Sequence, residues 1–275
     1  MDVNITILVE NTTSTPGFIG EYGFAALVTV DGKKFLFDTG SADAFIKNAA
    51  KGGIDLTTVN DLVISHGHFD HTSGVIPFLQ IGKNKKVYAH SNTFIQRYTI
   101  NGQIKKEIGV PFEFEEIKAN GAELIVTDDF TEISPGVFVT GEIPRINDYE
   151  DVGGNFWKCA GGNMIRDNLV DDMSMVINQP EGLIIISGCA HAGIINTITY
   201  ALQKTGQSKV LAFIGGTHLV NASEERLVRT IAAIKEYKVE KVVACHCTGF
   251  NALVKLRNEL GDRLIKGETA MSFRF

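Results

Sequence analysis

The chain has 275 residues, of which 44% are hydrophobic and 21% charged, a composition typical of globular proteins. Its formal net charge of −6 excludes a general attraction to nucleic acid or anionic membranes, so a polyanionic substrate would need a local binding site. No apolar run approaches the roughly 18 residues that a membrane span needs, and the N-terminal residues lack a signal-peptide pattern. The four cysteines show no disulfide spacing, which favours a reducing cytoplasm.

The first part of the chain predicts strands, a helix and a further strand. Turn signals separate three apolar runs of strand length, which are NITILVE, FAALVTV and KFLFDTG. Asp31-Gly32, between the second and third runs, predicts a hairpin. A helical pattern begins at about Ser41 and ends at Gly52-Gly53, and the short run LVIS predicts the next strand.

The last part of the chain repeats this order. MSMVINQ and GLIIISG predict a hairpin at residues 179–182, and helices are expected at about 191–202 and 223–237. KVLAFIGG and KVVACHC predict the strands that follow these helices, and Ser223 is a candidate N-cap. Two halves of this form predict an α/β protein in which two sheets pack face to face with helices outside, as one domain over residues 1–275.

The segment from about residue 91 to 172 has a different character. It mixes short strand-like pieces, VPFEF, ELIVT and GVFVT, with glycine, asparagine and charged residues. Segments of this length without clear structure are usually lids or binding loops in compact domains. We therefore predict that this variable segment shapes a substrate site.

Three histidines and an aspartate follow directly after LVIS, in the motif HGHFDH. Burying these groups at a strand end incurs a desolvation cost that a bound cation offsets. Imidazole and carboxylate ligands suit zinc, iron or manganese, and Gly67 allows a sharp turn between the first two ligands. The spacing predicts that His66 and His68 face one ion, and that Asp70 and His71 face a second.

The other four of the seven histidines also follow apolar runs. His191, His218 and His246 each follow a strand-like run, which places them on one rim of the sheets. His90 also ends an apolar run, but both a structural and a functional role stay open for it.

HGHFDH after a strand, LFDTG upstream and histidines at later strand ends resemble the metallo-β-lactamase superfamily. The resemblance implies a four-layer αββα sandwich with two divalent metal ions, zinc first, with iron, manganese or magnesium as alternatives. It adds His246 to the ligands of the HGHFDH motif. It also implies that Asp38, in LFDTG, orders the metal-binding loop.

The sequence departs from the usual family pattern at two positions. Asp171-Asp172 replaces a histidine, and Gly188-Cys189 stands where the family has a bridging aspartate. SGCAHAGIINT, GGTHL and CHCTG resemble a subgroup that includes the dihydropterin-joining enzyme of methanopterin biosynthesis. We expect His191 to complete the first metal site with His66 and His68, and His246 to complete the second. Cys189 is either a soft ligand or, as we favour, a small buried thiol beside the metals.

Several further residues are candidates at the site. In an extended strand Cys245 and Cys247 would point away from the face of His246, which favours one imidazole ligand over a CHC zinc-ligand set. We expect His218 to face the substrate, where it would bind a phosphate or shuttle a proton, with a third metal contact as the alternative. The remaining candidates are substrate-binding residues: Glu21, in a segment that resembles the subgroup, and Arg145 and Arg166, which either bind phosphate or lie on the surface.

These observations together predict a metal-dependent enzyme that acts on a small phosphorylated substrate. It would act by hydrolysis, through an activated water that Asp70 orients, or by dihydropterin-diphosphate transfer, as the resemblance implies. A hydrolase of a thioester or lactone and a non-catalytic metal-binding sensor are the alternatives. The sensor is disfavoured because structural zinc sites are usually closed by four protein ligands.

Overall fold

The computed structural model describes residues 1–275. The elements of the first half are, in chain order, β1 (Val3–Val9), β2 (Ala25–Val30), β3 (Lys33–Phe37), α1 (Ala44–Lys51), β4 (Asp61–Val63), α2 (Phe69–Thr72), α3 (Val75–Leu79), β5 (Lys86–Ala89), β6 (Arg97–Asn101), β7 (Ile104–Glu107), α4 (Phe114–Ala119) and β8 (Glu123–Val126).

The elements of the second half are β9 (Thr131–Ser134), β10 (Val137–Val139), β11 (Phe156–Ala160), β12 (Asn163–Arg166), β13 (Ser174–Gln179), β14 (Gly182–Ser187), α5 (Ile194–Thr205), β15 (Val210–Gly216), α6 (Glu224–Glu236), β16 (Lys241–Cys245), α7 (Phe250–Leu260), β17 (Leu264–Lys266) and β18 (Ser272–Arg274). Short 3₁₀ turns lie at Leu56–Thr58, His246–Thr248 and Gly261–Arg263.

Two seven-stranded sheets form the centre of the molecule. Their orders are β18-β1-β2-β3-β4-β5-β8 and β17-β16-β15-β14-β13-β10-β9. Each sheet contains a hairpin that leads into parallel strands, β2–β3 before β4 and β13–β14 before β15. The two hairpins predicted from the turn residues are therefore present.

The sheets pack against each other through apolar faces. Residues from both sheets, among them Ile5, Phe37, Ile184 and Ile214, share one fully buried cluster. A second cluster joins one sheet to α5, α6 and α7, and a third joins the other sheet to α1 and α3. Helices thus cover the outer faces, and the predicted four-layer αββα sandwich is confirmed.

The segment at about 91–172 contributes to all three sheets of the protein. β8 extends the first large sheet and β9 and β10 extend the second, whereas β6, β7, β11 and β12 form a separate sheet in the order β12-β11-β6-β7. The prediction of a strand in VPFEF is wrong. α4 begins at Phe114 instead, and the Glu116 carboxylate accepts a hydrogen bond of 2.9 Å from the Glu113 backbone N–H, which stabilises a helix start.

Two predicted helices begin later than their patterns suggested. α1 begins at Ala44 because the Glu21 carboxylate accepts the backbone N–H groups of Ser41 and Ala42 at 3.0 Å, which holds these residues in a loop. α5 begins at Ile194, after Gly193, whose φ is 103°. The prediction for α6 is confirmed, because the Ser223 hydroxyl accepts a hydrogen bond from Arg226 N at 3.1 Å. No helix has the length and apolar composition that crossing a membrane requires.

Candidate metal centre

The HGHFDH motif begins after β4 and continues into α2. Hydrogen bonds to Asp38 and Ser65 hold two of its histidines. The Asp38 carboxylate, fully buried, accepts hydrogen bonds of 2.7 Å from Ser65 N, from Ser65 Oγ and from His71 Nδ1. The single hydroxyl proton of Ser65 is donated to Asp38. Ser65 Oγ therefore acts as the acceptor for His66 Nδ1–H, at 2.9 Å. Asp38 thus holds the start and the end of the HGHFDH motif, and its role in ordering a metal-binding loop stays a prediction.

Four histidines carry their Nδ1 proton toward an acceptor of the surrounding protein. Besides His66 and His71, His191 Nδ1 donates to Val152 O at 2.8 Å, and His246 Nδ1 donates to Asn11 Oδ1 at 3.0 Å. This arrangement fixes the tautomer and leaves the Nε2 lone pair free. Among these atoms, His191 Nε2 is buried and has no hydrogen-bond partner.

The Nε2 side of these rings converges in two groups. His66 Nε2 approaches His68 Nδ1 to 3.0 Å, and the His66 and His191 ring centroids are 4.8 Å apart. In the second group, Asp70 Oδ2 lies 3.2 Å from His246 Nε2 and 3.9 Å from His71 Nε2. The structure therefore brings together the six residues that were predicted as metal ligands, and their division between two ions stays a prediction.

The lowered pKa values of three histidines at the site favour binding of a metal cation. Burial lowers the pKa of His66, His68 and His191 well below the ordinary imidazole value, and neutral imidazole is the form that ligates metal. His71 differs, because burial opposes its protonation but the carboxylates of Asp38 and Asp70 outweigh burial and raise its pKa to about 9. A metal ion at its Nε2 would therefore have to displace a proton. The orphaned imidazole nitrogen, the fixed tautomers and the carboxylate pair match the ligand set of a divalent metal centre.

Backbone strain is concentrated at this edge of the sheets. Asp38, Ala190, His218 and His246 have φ values of 56°, 55°, 46° and 48°, in the left-handed region that non-glycine residues rarely adopt. Such conformations persist where surrounding contacts hold them, and they often mark functional sites.

Cys189 lies between the two ligand groups. Its Sγ is 3.2 Å from His71 Nε2, and it falls within 4.8 Å of the donor atoms of His66 and His191 and of those of His71 and His246. The thiol is buried, as predicted, yet it occupies the position between both groups, where a bridging ligand would lie. The geometry thus fits the ligand interpretation of Cys189 that the sequence left open.

Cys247 faces the site. The prediction that it points away from the face of His246, as it would in an extended strand, is therefore wrong. β16 ends at Cys245, and residues 246–248 form a 3₁₀ turn because the His246 backbone is left-handed. Cys247 Sγ therefore lies in the cavity lining and accepts a hydrogen bond of 3.3 Å from His218 N. Cys245 remains in the core between the sheets, as expected for a side chain on the opposite face.

Three of the six ligand candidates, His68, Asp70 and His246, line a cavity of about 310 Å³. The lining combines ligand candidates with aromatic rings and one cationic side chain: Tyr22, His68, Phe69, Asp70, Thr99, Lys106, Ile108, Phe156, Cys189, His218, His246 and Cys247. Four lining residues were not predicted from the sequence as site residues: Tyr22, Phe69, Lys106 and Phe156. Tyr22 follows Glu21 directly, but Lys106 lies on the exposed strand β7, whose residues show no periodic pattern.

Two acidic residues stand where the family pattern has a histidine, and both hold ligand loops. Asp171 accepts hydrogen bonds from Gly67 N at 2.8 Å and from Arg97 Nη2 at 2.6 Å. Asp172 accepts one from Ala192 N at 2.8 Å, beside His191. Arg97 is fully buried and also pairs with Asp167 at 2.7 Å. These contacts fix the turn between His66 and His68.

The three residues predicted to bind substrate are not among the cavity lining. The Glu21 carboxylate is occupied by backbone amides before α1. The Arg145 guanidinium donates to the carbonyl oxygens of His191 and Asn168. Arg166 stacks on Trp157 at 4.6 Å from the ring centroid and is exposed. Their geometry gives each residue a local structural contact, and the substrate-binding role stays a prediction.

His90 lies outside the converging imidazole groups. Its Nδ1 accepts a hydrogen bond of 3.0 Å from Asn92 N, and its Nε2 is 3.6 Å from the Asp128 carboxylate. These contacts support the structural interpretation of His90.

The fold and the site together define an αββα protein with a histidine-rich ligand set at one edge of its two sheets. The model of the metallo-beta-lactamase superfamily matches residues 19–246, and the chain belongs to this superfamily. The family implies a divalent metal, and the donor atoms described above fit one.

Relatives of known sequence and structure agree with this assignment. The chain is 32% identical over 250 residues to the 7,8-dihydropterin-6-methyl-4-(beta-D-ribofuranosyl)-aminobenzene-5'-phosphate synthase of Methanocaldococcus jannaschii, covering 86% of this chain and 83% of the relative. It is also 32% identical over 253 residues to an uncharacterized protein of that organism, covering 92% and 93%. The structure of Tm1679, described as a metal-dependent hydrolase of the beta-lactamase superfamily, superposes with a TM-score of 0.85 at 29% identity and covers 98% of both chains.

Proposed function

We propose that this protein is a metal-dependent enzyme that acts on a small phosphorylated substrate in the cytoplasm. The observation that carries the proposal is the set of histidines whose Nδ1–H is held by protein acceptors while their Nε2 atoms converge beneath a cavity. Side chains buried in this way would be costly without a cation.

The ligand sets assign residues to two divalent ions, with zinc as the first candidate. His66, His68 and His191 would hold one ion, and Asp70, His71 and His246 would hold the other. When bound, these ions supply Lewis-acid stabilisation of the negative charge that develops on phosphoryl oxygens. Cys189 lies where it could contact both ions.

The cavity offers two kinds of contact to a substrate. The Lys106 ammonium is the cationic group of the lining and suits a phosphate. The rings of Tyr22, Phe69 and Phe156 surround the approach to the ligand candidates and suit a planar ring. A substrate that carries both a ring and a phosphate fits this lining best.

Transfer with loss of a diphosphate is the reaction that we place first. The relative that is 32% identical is named as a synthase of a dihydropterin-linked aminobenzene ribofuranosyl phosphate. In this reaction Lys106 would bind the charged leaving group, and Asp70 and His218, which both line the cavity, are the candidates for moving a proton.

Hydrolysis of a phosphorylated substrate is the second candidate. It is supported by the likeness at a TM-score of 0.85 and 29% identity to a structure described as a metal-dependent hydrolase. A thioester or lactone hydrolase is less well supported, because a neutral carbonyl substrate gives Lys106 no phosphate to bind.

The test supplies the protein with dihydropterin diphosphate, in the presence and absence of the aminobenzene ribofuranosyl phosphate acceptor, after loading with Zn²⁺, Mn²⁺ or Mg²⁺. Coupled product would support transfer, and diphosphate release without acceptor would support hydrolysis. His68→Ala should abolish either reaction and reduce the metal content. If the loaded protein turned over neither this substrate nor simple phosphoesters, the enzymatic proposal would fail and the sensor alternative would be favoured.

A further inference from the structure

We propose that Cys189, His218 and Cys247 form a third metal position beside the two ligand sets, suited to a thiophilic divalent ion such as Zn²⁺ or Cd²⁺. One donor atom from each residue lies within 4.8 Å of the donor atoms of the other two. All three residues are buried, with exposures of 2%, 9% and 9%. Such a group of two sulfurs and one imidazole is a common zinc ligand set.

His218 presents an unsatisfied atom within this group. Its Nδ1 is buried and has no hydrogen-bond partner, although its backbone N–H donates to Cys247 Sγ at 3.3 Å. An unpaired buried nitrogen costs free energy that a metal bond would offset. The His218 backbone has a left-handed φ of 46°, a conformation that persists where surrounding contacts hold it.

Two glycines leave room for these side chains. A Cβ at Gly216 would lie 2.7 Å from Cys247 Sγ, and a Cβ at Gly153 would lie 1.9 Å from the His218 ring. Both distances are shorter than non-bonded atoms tolerate. Any side chain at these two positions would therefore collide with the His218 imidazole or the Cys247 thiol.

The chemistry of the group indicates which ion it takes. Soft thiolate ligands select zinc and related ions over Mg²⁺, which prefers oxygen ligands. Three protein ligands leave the fourth tetrahedral position open, and all three residues line the cavity. Binding would release the two thiol protons to solvent as the metal–sulfur bonds form.

Cys189 is common to this group and to the two ligand sets described above. Loss of Cys189 should therefore affect every metal position, whereas loss of Cys247 should affect the third position alone. If His218 binds metal in this way, Asp70 remains as the candidate for moving a proton in the proposed reaction. The third position can be tested without substrate, so its failure would be distinct from failure of the proposed enzymatic function.

The test is a Cd²⁺ titration of the metal-free protein, followed by thiolate-to-cadmium charge-transfer absorbance in the ultraviolet and by elemental analysis. Relative to wild type, Cys247→Ser should lose about half of the absorbance and about one equivalent of Cd²⁺, because one of two thiolates is absent. Cys159→Ser is the matched control, since Cys159 lies on β11 outside all three groups, and it should retain both signals.

Several outcomes would decide against the third position. Full absorbance and stoichiometry in Cys247→Ser would overturn it, and so would absorbance that depends on Cys189 alone. If Cys247→Ser lost its circular dichroism spectrum, His218→Ala would serve instead: an unchanged Cd²⁺ stoichiometry would overturn the proposal, and loss of about one equivalent would support it. In His68→Ala, the absorbance that depends on Cys247 should persist.

Discussion

Asp38 supports two imidazoles through a single carboxylate. Its Oδ2 accepts from His71 Nδ1 and from Ser65 Oγ, and Ser65 in turn accepts from His66 Nδ1. The two rings belong to different proposed ligand sets, so one buried residue would orient ligands for both ions. The φ of 56° at Asp38 indicates that this contact is maintained against backbone strain.

Asp38→Asn should weaken metal binding about 10–100-fold. An amide nitrogen in place of Oδ2 could accept neither the Ser65 hydroxyl nor His71 Nδ1–H, and the charge beside His71 would be lost. Zn²⁺ affinity measured by competition with a chromophoric chelator checks this expectation. Asp31→Asn is the matched control, since Asp31 is an exposed hairpin residue at φ 47°, a conformation that asparagine tolerates. Equal affinities for the two variants would contradict the role given to Asp38.

Lys106→Ala should raise the KM for a phosphorylated substrate about tenfold, which corresponds to a loss of about 1.4 kcal/mol. The reason is that Lys106 supplies the cation of the cavity lining. Steady-state kinetics of the metal-loaded protein would measure this change. Lys105→Ala is the matched control, because its ammonium lies 3.8 Å over the Tyr98 ring and outside the lining. A similar rise in both variants would point to general charge attraction instead.

At the scale of single elements, α6 shows how local sequence sets a helix start. Ser223→Ala removes the hydroxyl that accepts from Arg226 N and should lower the free energy of unfolding by about 1 kcal/mol. Urea denaturation followed by circular dichroism measures the difference. Ser208→Ala, in the exposed loop before β15, should leave stability within about 0.5 kcal/mol of wild type. A cap variant as stable as this control would argue against the capping contribution.

β6 connects the separate four-stranded sheet to the metal-binding loop through Arg97. The Arg97 guanidinium pairs with Asp167 and Asp171 and donates to the Thr93 carbonyl at 3.0 Å. Asp171 in turn accepts from Gly67 N, between the two histidines of the HGH turn. A buried network of this kind is stabilising only while every charge keeps its partner.

Arg97→Met should lower the free energy of unfolding by about 3–5 kcal/mol, because Asp171 would stay buried without its cation and Asp167 would keep only Lys158, 3.8 Å away. Thermal and urea denaturation of the metal-free protein measure this effect without contribution from a bound ion. Lys83→Met, in an exposed turn, controls for the change of residue type. A loss below about 1 kcal/mol would show that the network contributes little.

The elements that could be predicted from the sequence are those whose residues bury an apolar face. β1, β2, β14 and β15 carry apolar runs and were predicted, since burial itself creates that pattern. β7 reads IKKE and is exposed at every residue, so it depends on pairing with β6 and leaves no periodic trace. The apolar piece VPFEF was misleading because the acidic residues around Phe114 favour a helix start.

The candidate site was predicted to the extent that its ligands lie at strand ends. HGHFDH, His191 and His246 begin within four residues of the ends of β4, β14 and β16, and strand direction places them on one rim. The inward turn of Cys247 depends on the left-handed backbone at His246, and the roles of Asp171 and Asp172 depend on contacts between distant loops. Residue types do not encode either feature.

At the scale of the whole molecule, the candidate metal ligands come from both sheets. The HGHFDH residues follow β4 of the first sheet, whereas His191 and His246 follow β14 and β16 of the second. Bound ions would therefore join the two halves of the sandwich at one edge. Their effect on stability should be global, since separating the sheets would break the coordination.

Removal of metal by a chelator should lower the melting temperature of the whole protein. At free Zn²⁺ about 100-fold above its dissociation constant, binding adds about 2.7 kcal/mol, which corresponds to about 5–10 °C for a chain of this size. Differential scanning calorimetry with and without the chelator measures this shift. His191→Ala should show a smaller shift, because it removes the ligand that links the second sheet to the first ion, whereas the exposed loop variant Ser208→Ala should match wild type. An identical shift in His191→Ala would mean that His191 does not link the second sheet to an ion.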